Sequence, residues 1–174
     1  MRFRGAPYDD LVDGGRALCE ALQEELPELG SDAIVVAPLS AGAVVGRVVA
    51  DGLGLQAVAL RVTETAAGTR VELVGAEPAQ LRGKVLLLVD AGVQSGGTAI
   101  NAIAFLRSLQ PSRLVMAVPT CHAQGAADLM PLVDVLVAPH RPFTPRTLRW
   151  EYKAFAPPPD EAAALAALQP LGLD

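Results

Sequence analysis

The chain has 174 residues, which is enough for one domain with a sizeable hydrophobic core. It carries 14 basic and 19 acidic residues, and no cluster of Lys or Arg could follow a nucleic-acid backbone, so we expect neither DNA nor RNA as its main partner. Hydrophobic residues make up 51% of the sequence, but Gly, Pro or charged residues interrupt them before the roughly 18 to 20 apolar residues that a membrane span requires.

Hydrophobic periodicity predicts helices and strands that alternate along most of the chain. The opening MRFRGAPYDD lacks the apolar stretch of a signal peptide, so we expect a cytoplasmic protein with reduced thiols at Cys19 and Cys121. Leucines at spacings of seven and four predict an amphipathic helix over 9–26. The elements predicted after it are a strand over 33–39, a helix over 42–53, a strand over 56–62, a strand over 85–90, a helix over 97–109, a strand over 113–119, a short helix over 123–130, a strand over 133–139 and a terminal helix over 160–168.

The stretch between residues 63 and 84 is polar and weakly patterned. We expect a hairpin or a mobile excursion there, with at most one short edge strand at Arg70–Val74. Elsewhere, strands that alternate with helices predict an α/β protein built on a doubly wound, mostly parallel sheet. Ligands of such sheets bind at the carboxyl ends of the strands, where helix N-termini also point.

The most informative stretch is VLLLVDAGVQSGGT, residues 85–98. Asp90 closes an apolar strand, and a buried carboxylate requires a hydroxyl, a metal or a cation as its partner. Three glycines in the following turn allow backbone N–H groups to approach an anion, while Ser95 and Thr98 add hydroxyl donors. The pattern therefore predicts a phosphate site with an acid beside it, although an ordinary strand-to-helix turn with a capping hydroxyl has a similar composition.

This stretch resembles the signature of the type I phosphoribosyltransferases, which consists of apolar strand residues, an acidic pair and a loop ending in [Ser/Thr]-Gly-x-Thr. In that family the acids hold the ribose hydroxyls of phosphoribosyl pyrophosphate and the loop holds its 5′-phosphate. The opening MRFRGAPYDDLVDGGRALCEAL and the closing RPFTPRTLRWEYKAFAPPPDEAA are similar to the ends of a bacterial branch of predicted phosphoribosyltransferases. The resemblance thus covers most of the chain, and residues 62–84 match worst.

The resemblance implies a single domain over 1–174 with its core at about 31–140. Helix 9–26 and tail 141–174 are then expected to pack as a hood or a dimer contact, and the protein to be a homodimer. It further implies transfer of the phosphoribosyl group from a phosphorylated ribose to an unidentified acceptor. The resemblance also implies that Asp90 is the catalytic residue and that it binds Mg²⁺, directly or through water. The residues implied for the 5′-phosphate are Gly92, Val93, Gln94, Ser95, Gly96, Gly97 and Thr98, and those for the pyrophosphate are Ser40, Ala41 and Gly42.

The sequence departs from the family pattern at three places. Ala91 stands where the second acid is expected, and the loop PLSAGA supplies backbone amides and a hydroxyl without a cation. The stretch after Arg61 is short and contains neither Lys nor His before Lys84. These departures leave three hypotheses open: an enzyme, a non-catalytic ligand sensor of the same fold, and a phosphohydrolase that uses water as the acceptor.

Several further side chains have two interpretations each. His122 could be a base at the rim of the sheet or a solvent-facing loop residue, whereas His140 is expected to be structural or on the surface. The aromatic residues of the tail either stack on a ligand or anchor the tail to the domain; they are Trp150, Tyr152 and Phe155. The N-terminal arginines either reach a phosphate or are solvated; they are Arg2, Arg4 and Arg16.

Overall fold

The computed structural model describes residues 5–144 and 146–169. The six strands found there are β1 Ile34–Pro38, β2 Gln56–Thr65, β3 Gly68–Val74, β4 Val85–Val89, β5 Arg113–Ala117 and β6 Val135–Val137. The helices are α1 Leu11–Glu25, α2 Ala41–Leu53, α3 Pro78–Leu81, α4 Gly97–Ser108, α5 Ala123–Leu129 and α6 Glu161–Leu168, with 3₁₀ turns at Met130–Leu132 and Leu148–Glu151. The alternation predicted from periodicity is therefore confirmed, with boundaries that differ by a few residues.

The strands form one sheet in the order β3-β2-β1-β4-β5-β6, and only the edge strand β3 runs antiparallel to its neighbour within the described chain. Val36 in β1 pairs with Val58 in β2 and with Leu88 in β4, so these strands lie in close register. Because β1 and β4 are parallel neighbours, the loops that follow them emerge side by side at the carboxyl edge of the sheet. The doubly wound α/β fold is confirmed.

Helices cover both faces of the sheet. In β1, Val35 packs into the cluster that includes the leucines of α1, and Val36 packs into the cluster on the opposite face with α4 and α5. Both valines are fully buried, which is why the strand is apolar at every position. Helix α1 packs on α2, and its leucines belong to the same cluster as residues of the sheet, as their spacing requires. Its role as part of a hood or of a dimer contact stays a prediction.

The weakly patterned stretch forms a regular antiparallel hairpin with the end of β2, and β3 is two residues longer than the edge strand expected at Arg70–Val74. Two side-chain contacts connect the hairpin to neighbouring helices. Arg61 in β2 forms a bidentate ion pair with Glu161 at the start of α6, and its Nε lies 2.9 Å from Glu161 Oε2. Asn101 in α4 donates to the Thr69 hydroxyl at 3.3 Å.

An aspartate side chain caps the start of each terminal helix. The Asp10 side chain accepts from the Asp13 N–H at 2.8 Å, and the Asp160 side chain accepts from the Ala163 N–H at the same distance. These bonds satisfy amide groups that the first turn of a helix leaves free. Among the helices in the described parts of the chain, none is long and apolar enough to cross a membrane.

Candidate functional site

The loop after β4 has a fixed base and an exposed tip. At its base, the Val93 N–H donates to the Thr120 carbonyl and the His122 N–H donates to the Val93 carbonyl, both at 3.0 Å. Gly96 adopts a left-handed conformation with φ of 80°, which turns the chain into α4. Within the described residues, the N–H groups of residues 94–98 have no backbone acceptor. The tip therefore presents free donors at the N-terminus of a helix, which is a favourable place for an anion.

The loop between β1 and α2 touches the loop that follows β4 at one point. We call this second loop, residues 90–96, the acidic loop because Asp90 begins it. A Cβ at Gly42 would lie 2.7 Å from Asp90 Oδ1 and 3.1 Å from Pro38 Cδ, so only glycine allows this approach. The first turn of α2 thereby faces the Asp90 carboxylate. Two segments about fifty residues apart in the sequence, PLSAGA and VLLLVDAGVQSGGT, meet as the parallel order of β1 and β4 requires.

Asp90 lies in a poorly solvated position at the edge of the cleft. Burial raises the pKa of its carboxyl from 3.8 to about 6, and the Ala91 N–H, which donates to Oδ1 at 2.7 Å, opposes the rise only in part. Among the described residues, no cation forms an ion pair with this carboxylate. A ligand hydroxyl or a hydrated metal ion would stabilise its charge.

A cleft of about 500 Å³ lies over both loops. Residues 90–99 and Ser40–Ala41 line it, and the C-terminal segment contributes Leu148, Phe155 and Pro157. Asp90 is the one charged side chain among the described lining residues, and no Lys, Arg or His is found there. The polar part of the cleft is thus made of backbone N–H groups and hydroxyls.

The position of the expected second acid is part of the hydrophobic core. The Ala91 side chain is 1% exposed and packs in the same cluster as Leu11 and Tyr152. The Tyr152 hydroxyl donates to the Ala91 carbonyl at 2.5 Å. A carboxylate at position 91 would therefore lie among apolar side chains, and the chain has filled this position with a methyl group.

The three aromatic residues of the tail have different surroundings. Tyr152 is buried, packs on the Tyr8 ring at 5.5 Å between centroids and anchors the tail under the acidic loop. Phe155 contacts the Tyr152 ring and also lines the cleft, whereas Trp150 is 65% exposed. The anchor interpretation thus applies to Tyr152, and the pocket interpretation to Phe155.

His122 is neither a rim base nor a solvent-facing residue. It is 1% exposed, its Nδ1 accepts from the Arg146 N–H at 3.3 Å, and its Nε2 faces the Glu151 carboxylate. His140 is half-buried and faces the same carboxylate, as a structural histidine does. Sequence reasoning missed Glu151, because one glutamate in a polar tail carries no signal of burial.

The N-terminal arginines give little further information. Arg16 is exposed on α1. Arg2 and Arg4 lie outside the described residues.

The donor set is suited to a metal ion that a ligand helps to hold. No group of three or more His, Cys, Asp or Glu side chains with metal-binding geometry occurs in the described ranges. Mg²⁺, however, often binds through one or two carboxylates together with substrate phosphates and several waters. Asp90 fits that role and would need the oxygens of a phosphorylated ligand to complete the shell.

Comparisons with known proteins agree with this geometry. The family model described as phosphoribosyl transferase domain matches residues 28–136. TT1426 from Thermus thermophilus has a similar structure, with a TM-score of 0.76, 22% identity, and coverage of 92% of this chain and 97% of that one. Adenine phosphoribosyltransferase from Rhodothermus marinus gives a TM-score of 0.59 at 22% identity, covering 72% of this chain and 78% of that one.

A third similar structure is a hypothetical protein from Neisseria gonorrhoeae solved with bound ppGpp. Its TM-score is 0.60 at 16% identity, and the match covers 81% of this chain and 85% of that one. At these identities the structural likenesses establish the fold alone.

Proposed function

Because the chain belongs to the phosphoribosyl transferase domain family, we propose that it binds phosphoribosyl pyrophosphate in this cleft and transfers the phosphoribosyl group to an acceptor of unknown identity. The observation that carries the proposal is the meeting of Asp90, the glycine-rich loop and the first turn of α2 at one edge of the sheet. From the resemblance alone, we further propose that the protein acts as a cytoplasmic homodimer, which light scattering of the purified protein would test.

Each part of the donor ligand has a matching group in the cleft. The free N–H groups of residues 94–98, with the Ser95 and Thr98 hydroxyls, suit the 5′-phosphate at the positive end of α4. Asp90 would accept from the ribose hydroxyls and hold Mg²⁺ through water. Ser40–Gly42 would receive the pyrophosphate with backbone amides and one hydroxyl.

The reaction breaks the bond between the ribose C1 and the pyrophosphate oxygen and forms a bond from C1 to the acceptor. The loop after β4 and the first turn of α2 would hold the two phosphorylated ends, so catalysis would rest on alignment and on the exclusion of water by Leu148 and Phe155. Bound Mg²⁺ would offset the negative charge of the pyrophosphate. Because no cationic side chain lines the described cleft, we expect slow transfer.

Calorimetric titration tests the proposal. Phosphoribosyl pyrophosphate is titrated with and without Mg²⁺, and ribose 5-phosphate serves as the reference ligand. We expect Mg²⁺-dependent binding of phosphoribosyl pyrophosphate that is tighter than binding of ribose 5-phosphate, and loss of the Mg²⁺ dependence in Asp90→Asn. The matched control is Asp32→Asn, an exposed aspartate at the amino edge of the sheet. Absence of binding by both ligands would refute the phosphate site itself.

One observation favours a second candidate, a non-catalytic sensor of a phosphorylated ribose or nucleotide. The described cleft offers free backbone N–H groups and hydroxyls but no cation for a pyrophosphate, and Ala91 stands where the second acid is expected. Equal affinity for ribose 5-phosphate and phosphoribosyl pyrophosphate, with no pyrophosphate released in the presence of nucleobases, would support the sensor. Because a similarly folded protein was solved with ppGpp, that nucleotide belongs in the binding panel.

A further inference from the structure

A buried polar cluster lies behind the acidic loop, outside the cleft. It is centred on Glu151, the last residue of the 3₁₀ turn Leu148–Glu151, whose side chain is fully buried. Its Oε2 lies 3.1 Å from His140 Nε2, and its Oε1 lies 3.5 Å from His122 Nε2 and 3.7 Å from Arg146 Nε. A buried carboxylate at this position is stabilised only by the donors that surround it.

The hydrogen bonds of His122 assign its donor atom. Nδ1 accepts from the Arg146 backbone N–H at 3.3 Å, so in the neutral ring the proton resides on Nε2 and points toward Glu151. The tail backbone therefore holds the imidazole by a hydrogen bond at Nδ1, and Nε2 lies 3.5 Å from the Glu151 carboxylate, a charge contact without a hydrogen bond. The negative charge of Glu151 favours a ring orientation with the N–H on its side.

The backbone of His122 in turn forms the base of the acidic loop. Its N–H donates to the Val93 carbonyl at 3.0 Å, and the Val93 N–H donates to the Thr120 carbonyl at the same distance. Two neighbours of Glu151 in the tail touch the start of the same loop. A Cβ at Gly92 would lie 2.5 Å from Leu148 Cδ2, and the Tyr152 hydroxyl donates to the carbonyl of the residue before Gly92.

We propose that Glu151 is a positioning residue for the phosphate-binding loop, which it holds through His122 and the 3₁₀ turn without touching the ligand. The inference rests on the proposed function for its effect on affinity, but the coupling between Glu151 and the loop can be measured in the free protein. Glu151→Gln keeps the shape of the side chain, removes the negative charge that His122, His140 and Arg146 face, and replaces one acceptor oxygen by a donor. In this variant the His122 ring loses its charge contact with residue 151, and the hydrogen bonds of Val93 with Thr120 and His122 weaken.

The test compares wild type, Glu151→Gln and the control Glu161→Gln, whose half-exposed carboxylate lies at the start of α6, away from the cleft. Amide hydrogen exchange is followed by NMR without ligand, and ribose 5-phosphate affinity is measured by calorimetry. We expect faster exchange at the Val93 and His122 amides of Glu151→Gln with unchanged exchange at Val36 in β1. We also expect affinity to fall by about tenfold or more, with neither effect in the control.

Each other outcome has a defined meaning. Faster exchange that extends equally to Val36 would mark Glu151 as a general stability residue and overturn the inference, as would unchanged exchange and affinity. Local exchange changes in a protein that binds no ribose 5-phosphate would uphold the coupling and refute the proposed function instead. Should Glu151→Gln fail to fold, His140→Gln disturbs the same carboxylate from its half-buried side and is expected to shift both readouts in the same direction.

Discussion

Replacing Asp90 by asparagine should stabilise the free protein at neutral and alkaline pH. The amide has nearly the same shape, keeps an acceptor for the Ala91 N–H and fits the space that Gly42 leaves. It removes a carboxylate whose pKa burial raises from 3.8 to about 6. Ionisation at this position is therefore less favourable in the folded chain than in the unfolded one.

The sign and size follow from proton linkage. Above about pH 6 the folded state bears the full cost of the ionised group, and below about pH 4 the carboxyl is protonated in both states and the cost vanishes. At about 1.4 kcal/mol per pKa unit, the rise corresponds to at most about 3 kcal/mol. Because the side chain borders the open cleft, solvent screening reduces this, and we expect about 1 to 2 kcal/mol.

Thermal unfolding of wild type, Asp90→Asn and the exposed control Asp32→Asn provides the measurement. At about pH 8 we expect the Tm of Asp90→Asn to exceed that of wild type by about 3 to 6 °C, and the difference to shrink as the pH falls through 6. The control should show no such trend. A Tm difference that is independent of pH, or a lower Tm at alkaline pH, would refute the argument that an ionised, poorly solvated Asp90 destabilises the free protein.

Four further substitutions or reactions test the geometry of the site. Gly42→Ala should destabilise by about 1 to 3 kcal/mol in urea unfolding and abolish ribose 5-phosphate binding, because its Cβ would displace Asp90; unchanged binding would contradict the close approach. Tyr152→Phe should cost about 1 to 2 kcal/mol, since the Ala91 carbonyl loses its donor, and an equally stable variant would show that the bond contributes nothing. Ala91→Asp should destabilise by about 2 to 4 kcal/mol without raising transfer, because the new carboxylate lies in the core; faster transfer would instead mark the natural chain as an eroded enzyme. Burial raises the pKa of the Cys121 thiol to about 11, so iodoacetamide should leave it unmodified in the folded protein, as peptide mass spectrometry would report; rapid modification would show that the thiol is accessible.

Local pattern predicted the fold because the central strands β1, β4 and β5 are covered on both faces and the long helix α1 on one. Continuous apolar runs such as residues 85–89 are buried from both sides, and the leucines of α1 cover the sheet as their spacing requires. The glycines of residues 90–98 also predicted a loop with accessible backbone N–H groups, which the structure has. Binding of an anion there stays a prediction. The hairpin was harder to predict, because an edge strand tolerates polar residues and alternates weakly.

The sequence by itself therefore determined the alternating fold, the glycine-rich loop after Asp90 and the presence of Ala91 where the resemblance implies a second acid. The tertiary structure alone decided that Gly42 lies against Asp90, that position 91 faces the core, and that Glu151 is buried behind the loop. Each of these facts depends on a contact between segments far apart in the chain. The local spacing of residues records which side of an element is apolar, but only packing of the sheet, the helices and the tail determines which polar group that element meets.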